Sequence, residues 1–130
     1  MYAAVCGLRH LLHGLTNAGV AAARYANLQA REAHLVDEYP NLQAALRSAT
    51  KAMATALTKL TQLQAQLDAL PPGEQSEKAK KLTRKINKAK VVYEIARDNF
   101  NLEKSDYKGH RKELEHVRSE ILAMQGALLA

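Results

Sequence analysis

The chain has 130 residues with no Trp, one Phe, six Gly and three Pro, a composition that favours helices and supports no β-sheet. Its formal net charge is +6 at pH 7, and the lone Cys6 cannot form an internal disulfide, which predicts a cytoplasmic protein. No run approaches the ~18 uninterrupted apolar residues that a membrane span needs.

The N-terminal segment is rich in Ala and has no acid before Glu32. We expect a structural helix over residues 1–39. The alternative is a targeting segment over residues 1–31, because Arg residues without acids resemble a mitochondrial presequence. An apolar stripe would let this helix cover part of the outer face of the remaining helices. The stripe consists of Val5, Leu8, Leu12 and Leu15.

Pro40 separates this segment from the next, although the apolar phase continues across it. A proline clashes with the carbonyl four residues earlier, so either the helix kinks at Pro40 or a new helix starts there. The phase extends back from Leu42 through Tyr39, Leu35, Glu32 and Leu28. We therefore favour a kink and assign a second helix to residues 40–70.

Apolar residues spaced alternately by four and three define a seam typical of a coiled coil. On the first arm it comprises Leu42, Leu46, Ala49, Met53, Ala56, Leu60, Leu63, Leu67 and Leu70. Pro71, Pro72 and Gly73 then end the helix, and Gln75 or Ser76 can cap the next one, which predicts a hairpin turn over residues 71–75.

A long C-terminal helix over residues 76–129 continues the seam. Its positions are Leu82, Ile86, Ala89, Tyr93, Ala96, Phe100, Glu103, Tyr107, His110, Leu114, Val117, Ile121, Met124 and Leu128. Glu103 and His110 break the apolar pattern, and Gly109 weakens the helix by ~1 kcal/mol relative to Ala. Folding at the turn pairs Leu42 with about Glu103 and Leu28 with about Val117.

The predicted fold class is all-α. We expect a single elongated domain over residues 1–130, built as a long kinked antiparallel helical hairpin or coiled coil with an additional N-terminal helix. A three-helix coiled-coil bundle is one form of this arrangement.

Positive charge is concentrated just after the turn. Residues 74–93 contain only two acids, and their basic residues are Lys78, Lys80, Lys81, Arg84, Lys85, Lys88 and Lys90. This basic segment is expected to face outward, because Leu82 and Ile86 occupy the seam. It predicts attraction to an anionic membrane surface, and the alternative is that the lysines only maintain solubility. Nucleic acid is disfavoured, because the segment lacks aromatic stacking residues.

A second apolar stripe lies beside the seam of the last helix. It consists of Val91, Val92, Ile95 and Leu102. No partner within the chain is evident for it, so we expect a homodimer or a helical partner protein to cover it.

No combination of residues predicts an active site. Glu113 and His116 form one Glu-x-x-His half-motif, but a di-metal bundle needs a second copy and further Glu residues. No nucleophile has a base at a suitable spacing, and no Gly-rich phosphate loop is present. The expectation is a protein that is not an enzyme and has no metal and no cofactor.

Residues 78–130 resemble the last long helix of BAR domains, as in sorting nexins. The run KAKKLTRKINKAKVVYEIARDNFNLEKSDYKGHRKELEHVRSEIL has a basic start, then Tyr93-Glu94 and Phe100, then Tyr107-Lys108 and Lys112-Glu113-Leu114. The resemblance is to a partial or truncated BAR-like chain. It implies a dimer that contacts anionic phospholipid through a curved basic face and its tips, without catalysis.

Two functions follow as expectations. The first is a dimeric membrane-binding or curvature-associated module, cytoplasmic and peripheral to the membrane, whose basic segment contacts anionic phospholipid. The alternative is a coiled-coil scaffold or adaptor for a secretion-system, cytoskeletal or trafficking partner, in which the lysines only keep the chain soluble.

Overall fold

The computed structural model describes residues 2–73 and 76–129, and the side chains of residues 18–73 and 76–127. It contains two helices, α1 (Tyr2–Asp68) and α2 (Glu77–Leu129), which pack together as an antiparallel hairpin. Among the described residues, neither helix has a segment long and apolar enough to cross a membrane.

The separate N-terminal helix is wrong, and with it the three-helix bundle, because the described residues contain no third helix. Helix α1 continues through Pro40 without interruption. Pro40 has no backbone N–H to donate to the carbonyl of Val36. Both residues are exposed, so water can donate a hydrogen bond to that carbonyl instead. The stripe of Val5, Leu8, Leu12 and Leu15 lies outside the residues whose side chains are described.

The turn forms as the sequence predicts. Directly after α1, the Leu70 amide donates to the Leu67 carbonyl at 3.2 Å, which forms a tighter turn than the α-helix. Gly73 then adopts φ 78°, a left-handed conformation that favours glycine. Ser76 caps α2, because its Oγ accepts a hydrogen bond from the Ala79 amide at 3.4 Å.

The predicted seam is confirmed along both helices. Every seam residue whose side chain is described is buried or half-buried, from Leu28 to Leu70 and from Leu82 to Met124. The predicted register also holds, because Tyr39 meets Tyr107 with their hydroxyl oxygens 2.6 Å apart and their ring centroids 5.5 Å apart. The phase of the apolar pattern therefore determines which face of each helix is buried.

The contacts divide the chain into two units. The turn unit comprises Tyr39–Gly109, and the terminal unit comprises Met1–Glu38 with His110–Ala130. In the turn unit the buried cluster is Leu63, Leu82, Ile86 and Ala89, packed by Leu60, Leu67 and Leu70. In the terminal unit it is Leu35, Leu114, Val117 and Ile121, packed by Tyr25 and Leu28. Each unit thus has its own apolar cluster.

Candidate anion-binding surface

The basic segment lies on the solvent side of α2, immediately after the turn. Leu82, Ile86 and Ala89 are buried in the cluster of the turn unit, and this spacing directs the residues between them outward. The exposed basic residues are Lys78, Lys80, Lys81, Arg84, Lys85, Lys88 and Lys90. Their side chains are therefore available to a partner in solution.

The net charge of the chain comes entirely from the turn unit. Tyr39–Gly109 contains thirteen Lys and Arg residues against seven Asp and Glu, which accounts for the whole formal charge of +6. The terminal unit contains six basic and six acidic residues. The two units thus differ sharply in the electrostatic field that each presents.

In the terminal unit, opposite charges pair between the two helices. Arg31 donates from Nε to Glu113 Oε1 at 2.9 Å, and from Nη2 to the same oxygen. Arg118 Nε lies 3.2 Å from Glu32 Oε2. A longer contact of 3.9 Å joins Arg24 to Glu120. In these ion pairs, basic residues of the terminal unit are neutralised by acids of the same unit.

The described part of the turn unit has no ion pair between α1 and α2. Its ion pairs join neighbours on one helix, Glu77 with Lys80 at 3.8 Å and Arg97 with Asp98 at 3.5 Å. Asp68, at the end of α1, accepts a hydrogen bond from Gln64 of its own helix at 3.1 Å, and residues 39–67 before it contain no acid. The positive charge of the basic segment is therefore not paired with a described acid of the other arm.

The opposing arm instead adds positive charge next to the basic segment. Lys59 of α1 lines a shallow groove of about 320 Å³ together with Lys85 and Lys88 of α2. The remaining lining residues are apolar, namely Ala56, Leu63, Ala89 and Val92. Three lysines from two helices thus surround one largely apolar depression.

Reading α2 alone misses Lys59 as part of this surface. The available signal is the absence of any acid from residues 39–67, an arm that also carries Arg47 and Lys51. Only the part of this stretch around Lys59 faces the basic segment once the chain folds at the turn. Lys59 is therefore recognised as part of the surface only when both arms are considered together.

Comparison with known proteins assigns no family to the chain. No family model, curated protein or solved structure matches it. The likeness of residues 78–130 to the last BAR helix therefore rests on the pattern of residue types alone.

The second apolar stripe is exposed. Helix periodicity places Val91, Ile95 and Leu102 on the face of α2 away from the seam, and only Val92 borders it. The exposed fractions are 55% for Val91, 57% for Val92, 64% for Ile95 and 59% for Leu102. Val92 belongs both to this stripe and to the lysine-lined groove. The stripe is therefore an exposed apolar surface on α2.

Glu113 and His116 point to different partners rather than to a shared site. Glu113 accepts from Arg31, while His116 Nε2 lies 2.8 Å from Glu120 Oε1, one turn along the helix. Among the described residues, no group of three or more His, Cys, Asp or Glu side chains converges as metal ligands. The Glu-x-x-His half-motif thus has structural partners in the terminal unit.

Proposed function

We propose that this protein is a non-enzymatic module that binds anionic phospholipid surfaces through the turn unit. The observation that carries the proposal is that the two units differ in how their charged residues are paired. The terminal unit pairs its charges between helices, whereas the turn unit holds all the net positive charge and makes no ion pair between its described arms.

Electrostatic attraction of this size is sufficient for reversible membrane binding. Each Lys or Arg close to an acidic headgroup contributes about 1 kcal/mol, and the effect fades within a Debye length of ~10 Å at 0.1 M salt. The seven basic residues on α2 are all exposed, so several can approach one surface together. Because the attraction is electrostatic, raising the salt concentration should weaken it.

The resemblance of residues 78–130 to the last BAR helix supports the same proposal. By that resemblance the module acts as a homodimer, associates with curved membranes and lies at the cytoplasmic surface of a membrane. The exposed stripe of Val91, Val92, Ile95 and Leu102 is the surface we assign to the second copy.

Liposome co-sedimentation with two charge-matched variants tests the proposal. One variant carries Lys81→Gln, Lys85→Gln and Lys88→Gln. The control carries Lys104→Gln, Lys108→Gln and Lys112→Gln, which are also exposed on α2 and change the net charge equally. Both are measured on neutral phosphatidylcholine vesicles and on vesicles that also contain phosphatidylserine.

The proposal predicts binding to the anionic vesicles only, with a loss of at least about tenfold in affinity for the first variant. The control variant should lose much less. Equal binding to both vesicle types, or equal losses in both variants, would contradict a specific basic surface. Stronger binding to vesicles of smaller diameter would further support the curvature association.

A scaffold or adaptor that binds a helical protein partner is the second candidate. The observation that favours it is the same exposed apolar stripe, which suits a helix packed alongside α2. This candidate requires that partner binding survive the three lysine substitutions. It also requires that binding be lost when Ile95 is changed to Ser.

A further inference from the structure

The groove in the turn unit is lined by four apolar residues and three lysines. Its volume of about 320 Å³ lies near the lower end of the ~300–1,000 Å³ typical of small-molecule pockets. Both helices contribute small seam residues, Ala56 and Ala89, where larger side chains would fill the space. The groove therefore results from the sequence of both arms.

The three lysines of the groove have no described anionic partner. Lys59, Lys85 and Lys88 take part in none of the ion pairs or hydrogen bonds between described residues. Like charges close together repel, so an anion that enters between them relieves this repulsion. The lining between them is apolar, which a fully hydrated inorganic anion would not use.

Val92 connects the groove to a longer apolar surface. Ile95 follows Val92 by three residues and therefore lies on the same helix face, and both side chains are more than half exposed. An apolar chain that leaves the groove at Val92 would meet Ile95 next. Three lining lysines and this apolar exit match a molecule with an anionic head and one hydrocarbon tail.

We infer that the groove binds a single-chain anionic amphiphile, such as a monoalkyl phosphate or a fatty carboxylate. Its head lies between Lys59, Lys85 and Lys88, and its chain covers Ala56, Ala89 and Val92. A protein helix, with a diameter of ~10 Å and anchors repeated over several turns, would need a longer groove than this one. The site takes a free monomer and does not depend on binding to a bilayer.

Titration of the isotope-labelled chain by two-dimensional NMR tests this site in the absence of vesicles. The probe is octyl phosphate below its critical micelle concentration. Octyl glucoside has the same chain without the charge, and inorganic phosphate has the charge without the chain. Octyl phosphate should bind most tightly, with shifts centred on residues 56–63 and 85–92.

Two pairs of matched variants locate the ligand. Val92→Ser should weaken octyl phosphate about three- to tenfold, while Val91→Ser, on the adjacent and equally exposed valine, should not. Lys59→Gln should weaken it about two- to fivefold, while Lys51→Gln, on the same helix but outside the groove, should not.

Several results would overturn the inference. They are absence of binding, equal binding of inorganic phosphate or octyl glucoside, and equal effects within either variant pair. The result also stands apart from the proposed function, because octyl phosphate binding is measured without vesicles. Intact binding to anionic vesicles without octyl phosphate binding would reject this inference alone. Loss of vesicle binding with intact octyl phosphate binding would reject the membrane proposal alone.

Discussion

His110 Nε2 lies 2.6 Å from the carbonyl oxygen of Leu35 in the terminal unit. Both residues are buried, Leu35 to 1% exposure. Because a carbonyl oxygen can only accept a hydrogen bond, Nε2 is the nitrogen that carries the proton. The seam thus accommodates a histidine at an apolar position by giving its N–H a main-chain acceptor on the other helix.

Removing this side chain should destabilise the terminal unit. His110→Ala deletes both the buried ring and its hydrogen bond, and we expect a loss of about 1–3 kcal/mol in the free energy of unfolding. His110→Leu should lose less, because it restores an apolar seam residue of similar size. Urea denaturation followed by circular dichroism measures both. A loss below about 0.5 kcal/mol for His110→Ala would argue against a stabilising contact.

The Tyr39 and Tyr107 pair should stabilise the turn unit through its hydroxyl groups. Tyr107→Phe retains the ring contact but removes one hydroxyl of the 2.6 Å pair, and should cost about 0.5–1.5 kcal/mol. Tyr93→Phe is the control, because Tyr93 is also a half-buried seam residue but makes no hydrogen bond to a described side chain. Equal losses in chemical denaturation would show that the paired hydroxyls contribute nothing specific.

Two glycines should respond in opposite directions to alanine. A Cβ added at Gly109 would meet no atom within 4 Å, so Gly109→Ala should stabilise the helix by up to about 1 kcal/mol. Gly73 also has open space, but its φ of 78° penalises any Cβ, so Gly73→Ala should destabilise the turn by about 1–2 kcal/mol. Thermal unfolding of the two variants checks both signs, and a stabilised Gly73→Ala would contradict the left-handed turn.

Self-association should depend on the second apolar stripe. Ile95→Ser should shift the chain from dimer to monomer, because Ile95 is 64% exposed at the centre of the stripe. Leu122→Ser is matched to it, since Leu122 is 67% exposed on the same helix but outside the stripe, and should leave the dimer intact. Sedimentation velocity measures both. A wild-type chain that remains monomeric at high concentration would reject the homodimer.

Sequence pattern alone predicts much of the fold. The alternation of four and three from Leu42 onward places each helix face correctly, and Pro71 to Gly73 with Ser76 locate the turn. The additional N-terminal helix is wrong, because α1 continues through Pro40. An exposed proline removes one hydrogen bond and is tolerated where its clash and the freed carbonyl both face water.

Local patterns determine these features, because helical periodicity and the backbone conformations allowed to Pro and Gly depend on residues close together in the chain.

The contacts between the two arms cannot be predicted in this way. The pairing of Arg31 with Glu113, the acceptor that Leu35 offers to His110, and the meeting of Lys59 with Lys85 depend on register and side-chain reach between residues far apart in the chain. The sequence by itself determined which faces are apolar and where the basic segment lies. Only the tertiary structure decided which charges are neutralised, because that requires an opposite charge at the facing position of the other arm. Arg31 has Glu113 there, whereas Lys59 has Lys85 and Lys88.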